Sequence, residues 1–301
     1  MGCWDGCFGI GIHGPWGPIP GSVGLHGIGV GVLGRELRGG SGLIAEGDKD
    51  LPMKRTAEFL LQDAAYRFPY HHLPVSSDGV WWPGRGLSWA YEYLALLETV
   101  TDLVLEFSPG KVLDFGCGDG RLSLQLVRLG CPEVVGCDIS EGAVLLAKAL
   151  GFATSCRFYP QIEQVCEYDF DAAVAMEVLE HVDDSEVPHV VDAIADRLRS
   201  KGRFVVSVPT TNIPLQAKHF RHYTLQVLEE QLGGRFEVDE VRWVHHGGPL
   251  ANAIRRLVIN RMYIANSSLV LRMATRLYNK WVRSSIPEGA HRLVARLVKA
   301  E

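Results

Sequence analysis

The sequence lacks the paired cysteines from which disulfide frameworks and many metal sites are built. Its seven cysteines are odd in number, are scattered and include no C-x-x-C pair. Four of them lie in or beside apolar runs of the kind that form buried strands. This usage indicates reduced thiols in a cytoplasmic protein. The seven are Cys3, Cys7, Cys117, Cys131, Cys137, Cys156 and Cys166.

An excess of positive charge is also lacking. Lysine and arginine total 30 against 35 aspartates and glutamates, which leaves a net charge of −5 at pH 7. We therefore expect no general nucleic-acid binding. Hydrophobic residues make up 47% of the chain and charged residues 22%, as in globular proteins with a buried core.

The first 50 residues lack the patterns of helices, strands and targeting segments. Residues 1–47 contain 16 of the 33 glycines, and glycine at that density makes an ordered backbone entropically costly. Neither a signal peptide nor a membrane-spanning helix fits this composition. We predict a disordered, glycine-rich extension over 1–50; the alternative is that Met53 begins the natural protein.

From residue 51 onward, strand patterns alternate with helix patterns. Such alternation predicts an α/β fold with a doubly wound, mostly parallel sheet of seven strands. The predicted strands are 111–115, 134–137, 156–159, 170–176, 203–208, 236–244 and 291–299. The predicted helices are 89–107, 121–129, 141–150, 185–199 and the segment from Thr224 to residue 232.

The segment 247–285 has seven basic residues and no acidic ones. Its apolar residues recur at helical spacing, which predicts one or two basic amphipathic helices inserted before the last strand. We therefore divide the folded domain, 51–301, into a lid and first helix (51–107), a core (108–246), a basic helical insertion (247–288) and a last strand (289–301). The seven bases are Arg255, Arg256, Arg261, Arg272, Arg276, Lys280 and Arg283.

A glycine-rich turn follows the first core strand. In the run from Val112 to Arg121 (VLDFGCGDGR), an acid ends the strand and alternating glycines follow it. A turn without side chains lets a ligand approach the backbone, and the next helix begins with an electropositive end. Arg121 stands where a dinucleotide-binding G-x-G-x-x-G motif would have its last glycine.

Two further patterns follow in order. Val134-Val135-Gly136-Cys137-Asp138 is a strand that ends in an acid, and a carboxylate there can accept two ribose hydroxyls. Residues 170–181 then form an apolar strand that runs into Glu-x-x-Glu-His. Together, the three patterns resemble the motifs of class I S-adenosylmethionine-dependent methyltransferases, and the resemblance covers roughly residues 88–245.

The resemblance implies a Rossmann-like catalytic domain and S-adenosylmethionine as the cofactor. The residues that it implies for cofactor binding are Asp114, Gly116, Cys117, Gly118, Asp138, Ile139 and Glu177. Because the sulfonium is already an activated electrophile, the protein mainly has to orient the two reactants. A hydroxyl acceptor would in addition need a base.

The Glu-x-x-Glu-His sequence has two interpretations. Ubiquinone-pathway O-methyltransferases and small-RNA 2′-O-methyltransferases carry a similar sequence, and metal dependence is associated with it there. If the segment is helical, Glu177, Glu180 and His181 share one side and could hold Mg²⁺ or Mn²⁺. Many metal-free class I enzymes carry such a sequence too, so a structural or cofactor-contacting role is the expected one and a metal is not expected.

Candidate catalytic bases come from the histidines near the carboxyl edge of the sheet. His219 and His222 lie in KHFRHYT, a run that resembles methyltransferases of glycan, lipid and natural-product pathways. His181 is the third candidate. The aromatic segment 66–89 predicts a lid, in which Tyr70, His71, His72, Trp81 and Trp82 either pack or stack on the acceptor.

We therefore expect an O-methyltransferase acting on a small-molecule, sugar or lipid-linked acceptor. One alternative is a metal-assisted RNA 2′-O-methyltransferase, and the other is a non-catalytic S-adenosylmethionine-binding module. The basic segment 247–285 either covers the sheet edge with its charges in solvent or contacts an anionic membrane surface peripherally.

Overall fold

The computed structural model describes residues 57–63, 75–77, 79–82, 90–152, 154–260 and 263–300, and the statements below concern these residues. The prediction for residues 1–50 lies outside them, as do Tyr70, His71, His72 and the side chain of Trp82. The described residues belong to one unit, Asp50–Glu301.

The helices and strands of the described residues alternate along most of the chain. The helices are α1 (Ala57–Asp63), α2 (Ala90–Leu105), α3 (Arg121–Arg128), α4 (Glu141–Leu150), α5 (Val187–Arg197), α6 (Leu225–Leu232), α7 (Pro249–Val258) and α8 (Ser268–Trp281). The strands are β1 (Val75–Ser77), β2 (Val80–Trp82), β3 (Lys111–Phe115), β4 (Glu133–Cys137), β5 (Cys156–Tyr159), β6 (Phe170–Met176), β7 (Leu198–Pro209), β8 (Phe236–His246) and β9 (Ala290–Lys299).

Seven of the strands form a single sheet in the order β5-β4-β3-β6-β7-β9-β8. Neighbours from β5 to β7 pair in parallel, whereas β9 is antiparallel to both β7 and β8. The predicted seven-stranded, mostly parallel sheet is thereby confirmed. The short strands β1 and β2 form a separate antiparallel hairpin.

Both faces of the sheet are buried, which explains why its strands are apolar almost throughout. Val112 and Val134 belong to a core that also contains residues of α2, α3, α7 and α8. Leu113 and Val135 point the other way, into a core shared with α5 and α6. Since successive residues of a strand face opposite sides, two helical layers require such continuous apolar runs.

The largest difference in element boundaries lies between α5 and β7. The sequence predicts a helix to residue 199 and a strand from 203, but the helix ends at Arg197 and the strand begins at once. Leu198 pairs with Phe170 of β6, and this sheet contact ends the helix. Lys201 then adopts a φ of 57°, a left-handed conformation that sequence periodicity does not indicate.

Of the two alternatives for Trp81, the structure shows packing, because the side chain lies in the core and cannot stack on an acceptor. Its side chain is fully buried, and its ring packs edge-on against Tyr91 and Tyr278 with centroids 5.3 Å apart in both pairs. The backbone N–H of Trp81 also donates to Thr275 of α8 at 3.1 Å. Helix α8 of the basic insertion therefore packs directly on Trp81.

The insertion between β8 and β9 consists of α7 and α8, as the charge and spacing of the segment predict. In α8, Leu271, Ala274, Thr275 and Tyr278 are buried against the core. None of the helices in the described part of the chain is long and apolar enough to span a bilayer.

Candidate active site

The turn between β3 and α3 requires glycine. Gly116 and Gly120 have φ values of 69° and 75°, in the left-handed region that side chains disfavour. A Cβ on Gly116 would lie 2.5 Å from Cγ2 of Val178, and one on Gly120 would lie 2.8 Å from Cζ of Phe158. Both glycines are therefore packed too closely to carry a side chain.

Hydrogen bonds join this turn to the end of β4. The N–H groups of Gly116 and Cys117 donate to the carbonyl of Cys137 at 2.8 and 3.0 Å. The N–H of Gly118 donates to Oδ2 of Asp138 at 2.8 Å, and that of Ser140 donates to Oδ1 at 2.8 Å. The glycine turn and the second acid are thus adjacent, as the spacing of the motifs predicts.

Asp138 is held at the boundary between the turn and solvent. Burial raises the pKa of Asp138 to about 6, even though the N–H groups of Ser140 and Gly118 act in the opposite direction. Each carboxylate oxygen has one backbone donor and a second lone pair that remains available to a ligand. The geometry therefore suits a ligand hydroxyl.

Asp114 lies below the turn. It is 1% exposed, and the hydroxyl of Ser123 in α3 donates to its Oδ2 at 2.6 Å. Burial raises the pKa of Asp114 to about 7, against the hydrogen bond from Ser123. The hydrogen bond from Ser123 therefore ties Asp114 to the first turn of α3.

The two remaining turn residues in the predicted cofactor set differ in their surroundings. The side chain of Cys117 is buried with Val144, Ala147 and Phe158, so that only its backbone can face a ligand. Ile139, next to Asp138, is 40% exposed and can contact a ligand with its side chain.

Helix α1 also reaches this region. The hydroxyl of Ser140 donates to the carboxylate of Asp63, the last residue of α1. Asp63 was not predicted as a site residue, because the segment around it has no clear periodicity. The contact brings one helix of the amino-terminal segment beside the second acid of the cofactor motif.

Glu177 follows β6 in a left-handed conformation, with a φ of 56°. Its N–H donates to the carbonyl and the hydroxyl of Ser207 in β7, both at 3.1 Å, and its carboxylate pairs with Arg292 of β9. Arg292 is also paired with Glu92 of α2, where Nη1 and Oε1 are 3.0 Å apart. The sequence did not reveal Glu92 or Arg292, because each looks like an isolated charge in an amphipathic element.

The Glu-x-x-Glu-His segment does not form an α-helical turn. Residues Leu179–His181 form a 3-10 turn, and Glu177 precedes it in its left-handed conformation. The donor atoms that do come together belong to Glu180, His181 and His219, all within 4.8 Å of one another. Glu177 faces Arg292 instead. The trio expected for a helical segment, which included Glu177, is therefore not formed, and His219 takes its place.

Glu180 is fully buried, and among the residues that the structure describes neither of its carboxylate oxygens has a hydrogen-bond partner. Burial, with Glu177 nearby, raises the pKa of Glu180 well above its usual range. A buried polar group without a partner is costly. A bound cation beside Glu180 would satisfy it, and the donor set of one carboxylate and two imidazoles suits a divalent transition metal.

The hydrogen bonds of the histidines indicate which ring nitrogens carry protons. Nδ1 of His181 lies 2.8 Å from the carbonyl of Lys218, and Nδ1 of His222 lies 3.1 Å from that of Ile213. A carbonyl can only accept, so both Nδ1 atoms are protonated. Nε2 of His222 must then accept from Nδ1 of His219, 2.8 Å away, which leaves Nε2 of His181 and of His219 with free lone pairs.

All three predicted catalytic histidines are neutral in this environment. Burial lowers the pKa of His181 to about 4, against its hydrogen bond to the Lys218 carbonyl. Burial and the nearby His181 and Lys218 lower the pKa of His219 to about 3. The pKa of His222 is also lowered by burial. Neutral imidazoles can accept a proton or bind a metal at neutral pH.

The sequence has curated relatives among ubiquinone biosynthesis O-methyltransferases. The protein from Xanthomonas oryzae pv. oryzae (strain PXO99A) is 32% identical over 109 residues, which are 34% of this chain and 44% of that protein. The protein from Xylella fastidiosa (strain 9a5c) is 35% identical over 106 residues, 33% of this chain and 42% of that protein. The chain matches less than half the length of these relatives.

The fold also has counterparts among solved structures. Magnesium protoporphyrin IX methyltransferase from Synechocystis PCC 6803, with bound SAM, superposes with a TM-score of 0.50 at 17% sequence identity. That match covers 84% of this chain and 100% of the other. At this level of identity the likeness shows a common fold.

The sheet order, with β9 as its only antiparallel member, and the glycine turn beside Asp138 define the class I fold of S-adenosylmethionine-dependent methyltransferases. Residues 88–247 match the family model described as a methyltransferase domain. This match spans more than half of the chain. The chain belongs to this methyltransferase family.

Proposed function

We propose that the protein transfers the methyl group of S-adenosylmethionine to an oxygen atom of a small-molecule or lipid-linked acceptor. The observation that supports this most strongly is the hydrogen bond between Gly118 and Asp138, which joins the glycine-rich turn to an acid at the carboxyl edge of the sheet. The curated relatives, by name O-methyltransferases, favour oxygen as the methylated atom.

In this proposal, the cofactor lies across the turn. Asp138 accepts the ribose hydroxyls, and Ile139 contacts the adenine side of the ligand. The backbone of Gly116, Cys117 and Gly118 lines the binding surface. Asp114 acts on the methionine ammonium from below, and Glu177, fixed by Arg292 and Ser207, borders the methionine end.

His219 is the base that we propose for a hydroxyl acceptor. Its Nε2 has a free lone pair, and its Nδ1–H donates to His222. When Nε2 takes the acceptor proton, the positive charge on the ring is stabilised by that hydrogen bond, so His222 acts as a positioning residue. His181 is the alternative base, because its Nε2 is free as well.

A metal-assisted form of the same reaction is the second candidate. Glu180, His181 and His219 would hold the ion, which would act as a Lewis acid toward the acceptor oxygen. The unpartnered carboxylate of Glu180 favours this candidate. Loss of transfer in EDTA and recovery with Mn²⁺ would support it, and unchanged transfer in EDTA would exclude it.

An acceptor screen tests the proposed reaction. The full chain is incubated with S-adenosylmethionine labelled in its methyl group and with phenolic small molecules, sugars, polyprenyl-linked glycolipids and RNA in separate reactions. Label in an ether or ester of a small or lipid-linked acceptor supports the proposal. Label on RNA favours the metal-assisted RNA enzyme, and cofactor binding without any transfer favours a non-catalytic module.

We also propose that helices α7 and α8 contact an anionic membrane surface. Beside its buried face, α8 has a second apolar stripe, Leu269, Met273, Leu277 and Trp281, each at least 43% exposed. Exposed bases flank it, and Lys280 lies 4.9 Å from the ring centroid of Trp281. An apolar stripe with basic neighbours is typical of helices that lie in a bilayer interface. The exposed bases of α7 and α8 are Arg255, Arg256, Arg272, Arg276 and Lys280.

Vesicle co-sedimentation tests this contact. We expect the protein to pellet with phosphatidylglycerol vesicles and not with phosphatidylcholine vesicles. Substitution of Leu269 and Trp281 by serine should abolish pelleting. Phe152→Ser is the matched control, because Phe152 is 85% exposed but lies outside the insertion. Equal pelleting with both lipids, or equal loss in the control, would contradict the proposal.

A further inference from the structure

A second group of ligand-type side chains lies apart from the predicted histidines. Glu92 in the first turn of α2, His245 near the end of β8 and His291 at the start of β9 bring one donor atom each within 4.8 Å of the other two. These three residues are 46 or more positions apart in the sequence, and the sequence motifs involve none of them. The group is therefore a product of the fold.

The carboxylate of Glu92 faces both imidazoles, at distances longer than ordinary hydrogen bonds. Oε2 of Glu92 is 3.6 Å from Nε2 of His245, and Oε1 is 3.4 Å from Nδ1 of His291. Hydrogen bonds of this type are about 2.7–3.2 Å long. A metal ion bound to both imidazoles would therefore take one or both oxygens of Glu92 as further ligands.

The surroundings hold the histidines in this arrangement. Nδ1 of His245 contacts the hydroxyl of Tyr278, which orients the ring and directs Nε2 toward Glu92. Such an outer contact is typical of histidines that bind metals. His245 also has a φ of 59°, in the left-handed region that few residues other than glycine adopt.

The imidazole of His291 is held in place by the backbone of Gly247. A Cβ on Gly247 would collide with Nε2 of His291, so the ring packs directly on this glycine and turns Nδ1 toward Glu92. The side chains of Glu92, His245 and His291 keep exposed fractions of 21%, 10% and 26%. The group is thus preformed and still open to an ion from solvent.

Charge also favours a cation. Arg292 lies 3.0 Å from Glu92, but it is shared with Glu177. The carboxylates of Glu92 and Glu177 carry two negative charges, and the guanidinium of Arg292 carries one positive charge. One net negative charge therefore lies beside the two imidazoles. Three protein ligands would leave a fourth position for water or for an oxygen of another molecule, as in catalytic zinc sites.

We propose that Glu92, His245 and His291 form a binding site for a divalent transition metal ion of the zinc type. The donor set of two imidazole nitrogens and one carboxylate suits Zn²⁺ and Co²⁺ better than Mg²⁺ or Ca²⁺. The site goes beyond the proposed methyl transfer and does not depend on it. It is also separate from the group Glu180, His181 and His219.

Metal titration of the full chain tests this site without any methyl donor. The metal-free protein is titrated with Zn²⁺ by calorimetry and with Co²⁺ by visible absorption, and the bound metal is counted per chain. We expect a Zn²⁺ site that Glu92→Gln and His291→Gln each weaken by roughly 100-fold or more. The affinity of this site for Zn²⁺ should not change in two control variants. His246→Ala alters an exposed neighbour of His245, and His181→Gln alters the group Glu180, His181 and His219.

A second measurement covers variants that fold poorly. Zn²⁺ should raise the melting temperature of the unmodified protein, since a ligand of the native state stabilises it, and the increase should vanish in Glu92→Gln and His291→Gln. Absence of Zn²⁺ and Co²⁺ binding by the unmodified protein would overturn the proposal. It would equally be overturned if binding persisted in both variants or were lost only in His181→Gln.

Discussion

Arg292 and Glu177 form an ion pair that links the start of β9 to the end of β6, although 115 positions separate them in the chain. The same guanidinium reaches Glu92 on α2. Arg292 therefore lies between the two groups of histidines at the carboxyl edge of the sheet. No pattern in the sequence indicates this pairing.

Removal of Arg292 should be costly, because it leaves two partly buried carboxylates without their cation. We expect Arg292→Gln to lower the free energy of unfolding by roughly 1–3 kcal/mol. The double variant that also carries Glu177→Gln should recover part of this loss, because it removes one of the two carboxylates that lost their cation. Denaturant unfolding measures both effects. Arg235→Gln, which breaks surface pairs with Asp192 and Asp196, is the control, and an equal loss there would contradict the prediction.

The contribution of Asp114 to the stability of the cofactor-free protein should decrease as the pH rises. Burial raises the pKa of Asp114 to about 7 in the folded protein, whereas in the unfolded chain it is about 4. Between these values Asp114 binds more protons in the folded protein than in the unfolded chain, so its contribution to the free energy of unfolding is greatest below about pH 4 and is lost as the pH rises to about 7.

The variant Asp114→Asn removes this buried charge. At about pH 8, we expect the free energy of unfolding of this variant to exceed that of the unmodified protein by roughly 1–4 kcal/mol. At about pH 4, we expect no such difference. Calorimetric unfolding at the two pH values measures this. Asp192→Asn, a surface substitution on α5, should show no comparable change. A gain for Asp114→Asn that is equal at both pH values would contradict the assignment of the shifted group.

The proposed base should stay unprotonated over a wide range of pH. Because burial and neighbouring groups lower the pKa of His219 to about 3, its ring remains neutral from about pH 8 to pH 5. With saturating cofactor and acceptor, we expect kcat to change little over that range.

Substitution separates the base from its positioning partner. His219→Gln should lower kcat by roughly 100-fold or more, in line with general base catalysis, whereas His222→Gln should have a smaller effect. KM for the cofactor should stay close to its original value in both variants. Equal kcat values for His219→Gln and the unmodified protein would exclude His219 as the base.

Gly120 should tolerate no side chain, for two separate reasons. Its φ of 75° costs a residue other than glycine about 1–2 kcal/mol, and a Cβ there would lie 3.0 Å from that of Ala147 and 2.8 Å from Phe158. We expect Gly120→Ala to lose more stability than Gly233→Ala. Gly233 is the matched control, because its φ is 58° but nothing lies within 4 Å of its Cβ position. Equal losses in thermal unfolding would contradict the packing argument.

The sequence predicted the features that depend on neighbours in the chain. Apolar runs and capping residues located the core strands and most helices, since each depends on a short segment. The adjacency of Gly118 and Asp138 was also predictable, because parallel strands bring their carboxyl ends together. The extra helices before β9 followed from the helical spacing in 247–285.

The features that the sequence could not predict depend on the backbone or on distant partners. The left-handed φ of Glu177 directs its side chain to Arg292, and nothing in Glu-x-x-Glu-His indicates that conformation. His219 takes the place of Glu177 beside Glu180 and His181, because the loop after β7 folds back over the 3-10 turn. Glu92 and His291 are similarly brought together only by the packing of α2 on the sheet.

We propose above all that the turn at Gly116–Gly120 and the acid Asp138 together bind S-adenosylmethionine. Calorimetric titration of the cofactor into the unmodified protein, Asp138→Ala and the surface control Asp196→Ala tests it most directly. We predict that Asp138→Ala weakens binding by roughly 1–3 kcal/mol, because the ligand loses hydrogen bonds to a carboxylate, and that Asp196→Ala leaves it unchanged. Unaltered affinity in a folded Asp138→Ala protein would contradict the account.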